Sequence, residues 1–213
     1  LISPNYSYQF PIADMKNIYG NNSLLGIDIS KINNQNILYG FSGHFIFSDN
    51  IKDTTILDHL MDANRNIIDE NGQIANVLLQ QRGFSFYTKL GYFYPLKHNS
   101  SGLLTFMGLG FIQHKIRIDI RNSNTPQLSK EKLEMYDQLS NGIITSVFLG
   151  YMHISKKNHA HIYIGIECNR GFTKNRRNYN YNTGGAITEL RNDSFFGIKF
   201  GWIIPVGKRN PKE

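Results

Sequence analysis

The sequence contains almost no cysteine, little proline and no long apolar run. Cys168 is the only cysteine among 213 residues, which excludes an internal disulfide and a multi-cysteine metal site. A transmembrane helix needs about 20 consecutive apolar residues, and no such stretch occurs. The chain starts at Leu1 and has no recognisable secretory leader, so we expect the mature form of a processed protein.

Charge is also scarce, whereas aromatic residues are abundant. Charged residues make up 18% of the chain, below the usual level of about 25%. Phe, Tyr and Trp together make up 13%, and 19 Gly accompany 6 Pro. This mixture predicts many strands separated by turns rather than a helical or a disordered chain. The net charge of +7 is compatible with anionic lipid, lipopolysaccharide or solubility alone, and no nucleic-acid recognition signature accompanies it.

Apolar and polar residues alternate in eight segments, which is the signature of half-buried β-strands. In the third segment, Tyr39, Phe41 and Phe45 occupy one face, while Ser42 and His44 occupy the other. The predicted strands cover about residues 5–10, 24–30, 37–47, 83–96, 103–120, 142–154, 162–168 and 196–204.

The alternation changes phase inside the fifth segment, near Gln113. Before this point the odd-numbered Met107 and Leu109 are apolar, and after it the even-numbered Ile116 and Ile118 are. A β-bulge would produce such a change, and so would a strand that continues beyond a membrane.

Short and long links alternate between the predicted strands. In an up-and-down barrel this alternation places every short turn at one end and every long loop at the other, which is typical of outer-membrane barrels. The short links are 31–35, 97–101 and 155–159, and the long ones are about 12–22, 49–82, 122–141 and 170–192.

One long link has a pattern of its own. Apolar residues at helical spacing predict a short amphipathic helix over 54–69, and the alternative is an irregular loop with a few apolar side chains. The residues concerned are Ile56, Leu57, Leu60 and Met61.

Volume decides which strand face meets lipid. The interior of an eight-stranded barrel is only just wide enough for side chains to fill it. The apolar faces carry several large residues on nearly every strand, whereas the opposite faces are rich in Gly and Ser, so we expect the apolar faces to point outward.

The sequence therefore predicts an all-β fold, a single transmembrane β-barrel domain over residues 1–213 with eight antiparallel strands and one short helix in a long loop. The expected membrane-interface aromatic residues are Tyr92, Tyr94, Tyr151 and Trp202.

If the apolar faces point outward, two acidic and two basic side chains point into the lumen. An unpaired buried charge costs several kcal/mol, so we expect these residues to pair. Because eight strands leave little room for water, a structural network that plugs the barrel is favoured over a polar core that gates or conducts. The four residues are Asp28, Lys89, Glu167 and Lys199.

Motifs for chemistry are missing from the sequence. Neither a nucleophile elbow nor a phosphate-binding glycine loop occurs, so we expect no enzyme and no cofactor. His159 and His161 would share a strand face, but no acidic or cysteine partner lies near them in the sequence, so no metal site is expected.

The segment from residue 170 to residue 181 is basic and aromatic. Its arginines are suited to phosphate, so it could contact lipopolysaccharide or a partner protein, or it could be a solvated loop. The candidate contact residues are Arg170, Lys174, Arg176 and Arg177.

Six stretches carry a family resemblance: Tyr8–Pro11, Tyr19–Ser23, Gln113–Arg117, Tyr136–Gly142, Arg176–Asn180 and Gly201–Pro205. Through them the whole chain resembles the small outer-membrane β-barrel proteins of the Bacteroidota, in the OmpA-like size class of eight strands. The resemblance implies a bacterial outer-membrane location and an accessory role in the type IX secretion machinery or in a nutrient-uptake complex. Such barrels often end on an aromatic residue, whereas this chain ends in Lys208–Glu213, so we expect a periplasmic tail or missing last residues.

Three functional hypotheses follow. The first is a non-enzymatic structural or accessory subunit of a membrane complex, with outer-membrane lipid, lipopolysaccharide and other membrane or periplasmic proteins as partners and no nucleic acid. The second is a narrow passive channel or small-ligand transporter. The third is a soluble, lipocalin-like ligand-binding barrel.

Overall fold

The computed structural model describes residues 1–96, 101–121, 125–155, 161–181 and 183–205. Each strand pairs antiparallel with the next, and β1 pairs with β8, which closes the barrel. The predicted eight-stranded up-and-down barrel is confirmed, although β4 begins seven residues and β8 six residues before the predicted positions, and β7 ends seven residues after its predicted end. The strands are β1 (Ile2–Ala13), β2 (Asn22–Ile32), β3 (Ile37–Ser48), β4 (Asn76–Pro95), β5 (Gly102–Arg121), β6 (Ser140–Ile154), β7 (His161–Asn175) and β8 (Leu190–Trp202).

The strands are joined by alternating short and long links, as predicted. The turn between β2 and β3 is set by Asn33, whose Oδ1 accepts hydrogen bonds from the backbone N–H groups of Gln35 (3.0 Å) and Ile37 (2.9 Å). Asn36 adopts a φ of 63° there, a conformation that asparagine tolerates. Residues 97–100 and 156–159 of the other two predicted turns, and the Lys208–Glu213 tail, lie outside the described residues.

The helix predicted over 54–69 is present but short. A 3₁₀ helix spans Thr55–Leu60 and buries Ile56 and Leu57. The expected continuation to 69 is wrong, because the Asp62 Oδ1 accepts hydrogen bonds from the backbone of Asn64 and Asn66, at 2.8 Å each, and so forms a turn instead. Three further single-turn helices, which the sequence did not predict, are α1 (Met15–Ile18), α2 (Lys130–Leu133) and a 3₁₀ turn at Pro126–Leu128.

None of the described helices is long and apolar enough to cross a membrane.

Large apolar side chains cover the outer wall of the barrel. Phe41 is 66% exposed and Met107 is 67% exposed, and similar residues project outward from all eight strands. This polarity is the reverse of a soluble barrel and is that of a bacterial outer-membrane barrel. Near the short turns, the exposed Tyr94, Tyr151 and Trp202 lie at the predicted interface positions.

The interior is filled with side chains, and it is less polar than the sequence suggested. The expectation of a lumen lined by small and ionic residues is only partly right, because large apolar residues also point inward near the short turns. Phe148 fits there because Gly150 and Gly165 are paired on adjacent strands, and a Cβ on either would lie 2.5 or 2.7 Å from its ring. The main residues of this apolar plug are Leu38, Phe93, Leu104, Phe106, Phe148, Met152, Tyr163 and Ile203.

The phase change in β5 has no bulge behind it. Pairing with β4 runs without interruption from Gly102 to Arg121. Ile116 and Ile118 point inward, whereas Arg117 points outward. The strand therefore continues past the lipid-facing wall, and the apolar residues move to the inside where water surrounds the barrel.

Those inward residues pack beneath the long links. Residues 14–21, 49–75, 125–139 and 176–189 form what we call the loop cap, of which residue 182 is not described. The cap has its own apolar core over the long-loop end of the barrel. Its buried residues include Met15, Tyr19, Ile56, Leu57, Ile67, Leu128 and Tyr136.

Candidate functional site

The four charged residues predicted for the lumen lie together inside the barrel, where we call them the lumen ion cluster. The Lys89 Nζ is 2.9 Å from Asp28 Oδ2, and the Lys199 Nζ is 3.1 Å from Glu167 Oε1. Lys199 also lies 3.9 Å from Asp28, so the two pairs form one group. Each of the four residues is at most 6% exposed.

Three polar residues that were not among the four predicted lumen charges complete this cluster. The Tyr87 hydroxyl donates to Glu167 Oε1 (2.9 Å), and the Tyr163 hydroxyl donates to Asp28 Oδ2 (2.8 Å). The Lys199 Nζ donates to His44 Nε2 (3.1 Å). All three lie on inward-facing positions of their strands, so the parity of the alternation was the available signal.

The lumen ion cluster has no net charge and little free space. Two carboxylates are balanced by two ammonium groups, and the Lys89 Nζ lies 5.0 Å from the centre of the Phe106 ring in the apolar plug. A cavity lined in part by Asp28 and Lys89 has a volume of about 10 Å³, room for one water molecule at most. This geometry fits a plug better than a conducting core.

A second buried cluster ties the loop cap to the wall. The Asp193 Oδ2 lies 2.8 Å from His114 Nε2 and accepts a hydrogen bond from Thr173, and its Oδ1 lies 2.9 Å from Arg191. The Tyr19 hydroxyl lies 3.3 Å from His114 Nδ1, and burial raises the pKa of Tyr19. His114 and Asp193 have no exposed surface, so no substrate reaches them in this conformation. No sequence pattern indicated this cluster, because Asp193 lies outside the predicted eighth strand at 196–204.

Arg177, one of the candidate residues for contact with a partner or lipopolysaccharide, is held by two carboxylates of the loop cap. Its guanidinium donates to both oxygens of Asp137, at 2.8 and 2.6 Å, and to Glu134 at 2.7 Å. These hydrogen bonds to Asp137 raise the pKa of Arg177. The arginine therefore joins two links of the cap, and its charge is already balanced.

Of the other three predicted contact residues, only Arg176 lies beside Arg177. Arg170 projects from the outer wall, with its guanidinium 4.9 Å from the ring centre of Phe172. Lys174 is half-buried near the long-loop end of β7. Arg176 is exposed and donates from Nε to Asn141 Oδ1 at 2.6 Å.

Within the described residues, no group of three or more His, Cys, Asp and Glu side chains is placed to hold a metal ion. His159, one of the two histidines considered for a metal, lies outside the described residues. Cys168 is exposed on the outer wall.

Comparison with known proteins finds similarity among solved structures only. No family model and no curated protein matches the chain. Neisserial surface protein A is similar with 11% identity and a TM-score of 0.45, over 94% of this chain and 93% of that one. The N-terminal β-barrel domain of Pseudomonas aeruginosa OprF is similar with 9% identity and a TM-score of 0.40, over 94% and 95%. A major outer membrane protein from Thermus thermophilus has 11% identity and a TM-score of 0.39, over 94% and 97%. These values are too low to carry any property of those proteins over to this chain.

Proposed function

We propose that this chain is a non-enzymatic β-barrel of the bacterial outer membrane that serves as a structural or accessory subunit of a membrane protein complex. The observation that carries the proposal is the combination of an apolar outer wall with a filled lumen. The wall requires lipid around it, and the filled lumen leaves the loop cap and the short-turn end as the parts that other proteins can reach. Lipid and lipopolysaccharide would surround the wall. A membrane or periplasmic protein would contact the parts of the barrel that the lipid does not cover.

The two alternatives have less support. A channel or transporter needs a path for its solute, whereas the apolar plug, with Phe106 and Phe148 stacked 4.8 Å apart, and the lumen ion cluster occupy the interior. A soluble ligand-binding barrel needs an apolar lumen and a polar wall, and this barrel has the reverse wall polarity.

A more specific form of this proposal is that the protein belongs to the Bacteroidota and is an accessory of the type IX secretion machinery. Its support is the sequence resemblance carried by the six stretches named above. The ordered loop cap is compatible with such a role because it offers a shaped surface above the membrane for protein contacts.

Gentle extraction from native membranes tests the docking role. We expect a tagged chain to come out with a stoichiometric protein partner, and an Arg177→Ala variant, in which the cap is loosened, to retain less of it. An Arg117→Ala variant is the matched control, because the Arg117 side chain is 57% exposed and lies on β5. Recovery of the native chain alone would remove the docking role.

Two further measurements separate the alternatives. In planar bilayers we expect no steady conductance, and reproducible single-channel steps would favour the channel. Without detergent we expect aggregation, and a monodisperse, folded protein would favour the soluble barrel.

A further inference from the structure

We infer that a groove on the loop cap binds the ring of a neutral sugar. The groove has a volume of about 200 Å³ and lies between the 125–139 and 176–189 links, at the long-loop end of the barrel. It has one aromatic residue beside several planar polar groups, and it faces solvent. Its lining residues are Glu134, Met135, Arg176, Arg177, Asn178 and Tyr179.

The polar residues of the groove are fixed by contacts within the protein. Arg177 is held by two carboxylates, and its backbone N–H donates to Asn175 Oδ1 at 2.8 Å. The Arg176 backbone N–H donates to the Leu139 carbonyl at 2.8 Å, and its side chain is held by Asn141. Side chains that are already ordered lose little entropy on binding, which favours recognition of a small ligand.

Tyr179 provides the aromatic surface. It is 40% exposed and meets Tyr181 edge to face, with ring centres 5.4 Å apart at 87°. Tyr181 in turn stacks on Tyr136 at 4.7 Å, and Tyr136 stacks on His59 at 5.3 Å. This row of rings fixes the orientation of Tyr179, and a rigid aromatic ring is the surface on which the C–H face of a sugar packs.

The exposed carboxylate at the groove favours a neutral ligand over an anion. Glu134 and Asp137 offset the charge of Arg177, but Asp137 is shared with Lys115 at 3.3 Å, and Arg176 is paired with the neutral amide of Asn141. The Glu134 side chain is 64% exposed at the groove. A phosphorylated ligand would meet this carboxylate. Adjacent sugar hydroxyls, by contrast, both donate and accept hydrogen bonds, so they match a carboxylate, the exposed amide of Asn178 and the guanidinium of Arg176 together.

Saturation-transfer NMR tests the inference, with the native chain in a detergent that has no sugar headgroup. The probes are methyl β-glucoside, methyl β-galactoside and N-acetylglucosamine, each alone and in competition with inorganic phosphate. We expect saturation transfer to at least one sugar. Tyr179→Ala should weaken its binding by about tenfold, which is the upper range for one aromatic contact, and Tyr179→Phe should retain it.

Tyr8→Ala is the matched control, because Tyr8 is 41% exposed but lies on the outer wall. This variant should bind as the native chain does. The inference fails if none of the three sugars receives saturation, if Tyr179→Ala binds like the native chain, or if phosphate displaces the bound sugar. Thermal unfolding of each variant checks that the fold is retained. Failure here leaves the proposed membrane role intact, because that role is tested by detergent dependence and by extraction.

Discussion

Lys199 and Glu167 face each other from strands β8 and β7, with Nζ 3.1 Å from Oε1 and neither side chain exposed by more than 1%. The pair lies in the lumen together with Asp28 and Lys89. Removing one partner of a buried ion pair leaves the other charge without compensation, which costs far more than the intact pair contributes.

Replacing Lys199 by Met should therefore lower the free energy of unfolding by about 3–5 kcal/mol. The double variant Lys199→Met/Glu167→Gln should recover part of this loss, because the uncompensated charge is removed. Urea unfolding of the barrel in lipid vesicles measures both. Lys31→Met, at an exposed position of β2, is the control. A Lys199→Met variant as stable as this control would contradict a stabilising lumen ion cluster.

The destabilisation caused by an arginine on the outer wall should depend on the depth of the substituted position in the bilayer. Leu109 is 59% exposed on the middle of β5, and Leu190 is 81% exposed at the long-loop end of β8. In a bilayer, Leu109→Arg should destabilise the barrel by about 2–4 kcal/mol, and Leu190→Arg by about 0–1 kcal/mol. The measurement is unfolding from vesicles. Equal, small effects at both positions would mean that water and not lipid covers the wall.

Arg177→Lys should loosen the loop cap and leave the barrel intact. Lysine cannot donate to both oxygens of Asp137 as the guanidinium does, so at least one charge-assisted hydrogen bond is lost. We expect amide hydrogen exchange in 134–139 and 176–181 to rise by about tenfold, which corresponds to about 1.4 kcal/mol. Arg117→Lys should leave these amides unchanged. Uniformly faster exchange in the strands would instead assign Arg177 to global stability.

High pH should open the loop cap before the barrel unfolds. Burial raises the pKa of Tyr136 to about 12, whereas an unfolded tyrosine titrates near pH 10. Between about pH 10 and pH 12 the Tyr136 hydroxyl loses its proton in the opened cap but keeps it in the closed cap. The stability of the cap therefore falls as the pH rises above about 10. Limited proteolysis of the cap across this range measures the opening.

A Tyr136→Phe variant checks the origin of this effect. In this variant the rate of cap proteolysis should rise less steeply with pH. Some rise should remain, because the pKa of Tyr19 is raised as well. If the proteolysis rate rises equally steeply with pH in the variant and in the native chain, Tyr136 is not the cause of the opening.

Sequence reasoning found the strands and the lumen ion cluster for the same physical reason. Residues two apart share a strand face, so Asp28 and Lys199 could be assigned to the interior once the apolar faces were assigned to lipid. The apolar plug was missed because Phe106 and Phe148 share the inward face with Gly and Ser, and alternation does not reveal where along the axis a large residue fits. In β5 the pattern itself reversed at the edge of the lipid-facing wall.

The loop cap was beyond such reasoning. Asp193 lay outside the predicted eighth strand, and its partner His114 is distant in the chain. The bond between Arg177 and Asp137 joins two links that no periodic pattern relates. Of the four candidate contact residues, Arg176 and Arg177 lie together in the cap, whereas Arg170 projects from the wall and Lys174 lies near the end of β7.

The central claim is that the aromatic and aliphatic side chains of the wall contact lipid, and the single tryptophan tests it most directly. Trp202 is 54% exposed at the short-turn end of β8. In vesicles containing brominated lipids, its fluorescence should be quenched most strongly by bromine near the headgroup and less by bromine near the bilayer centre. Fluorescence unaffected by brominated lipids but quenched by an aqueous quencher such as iodide would contradict the account.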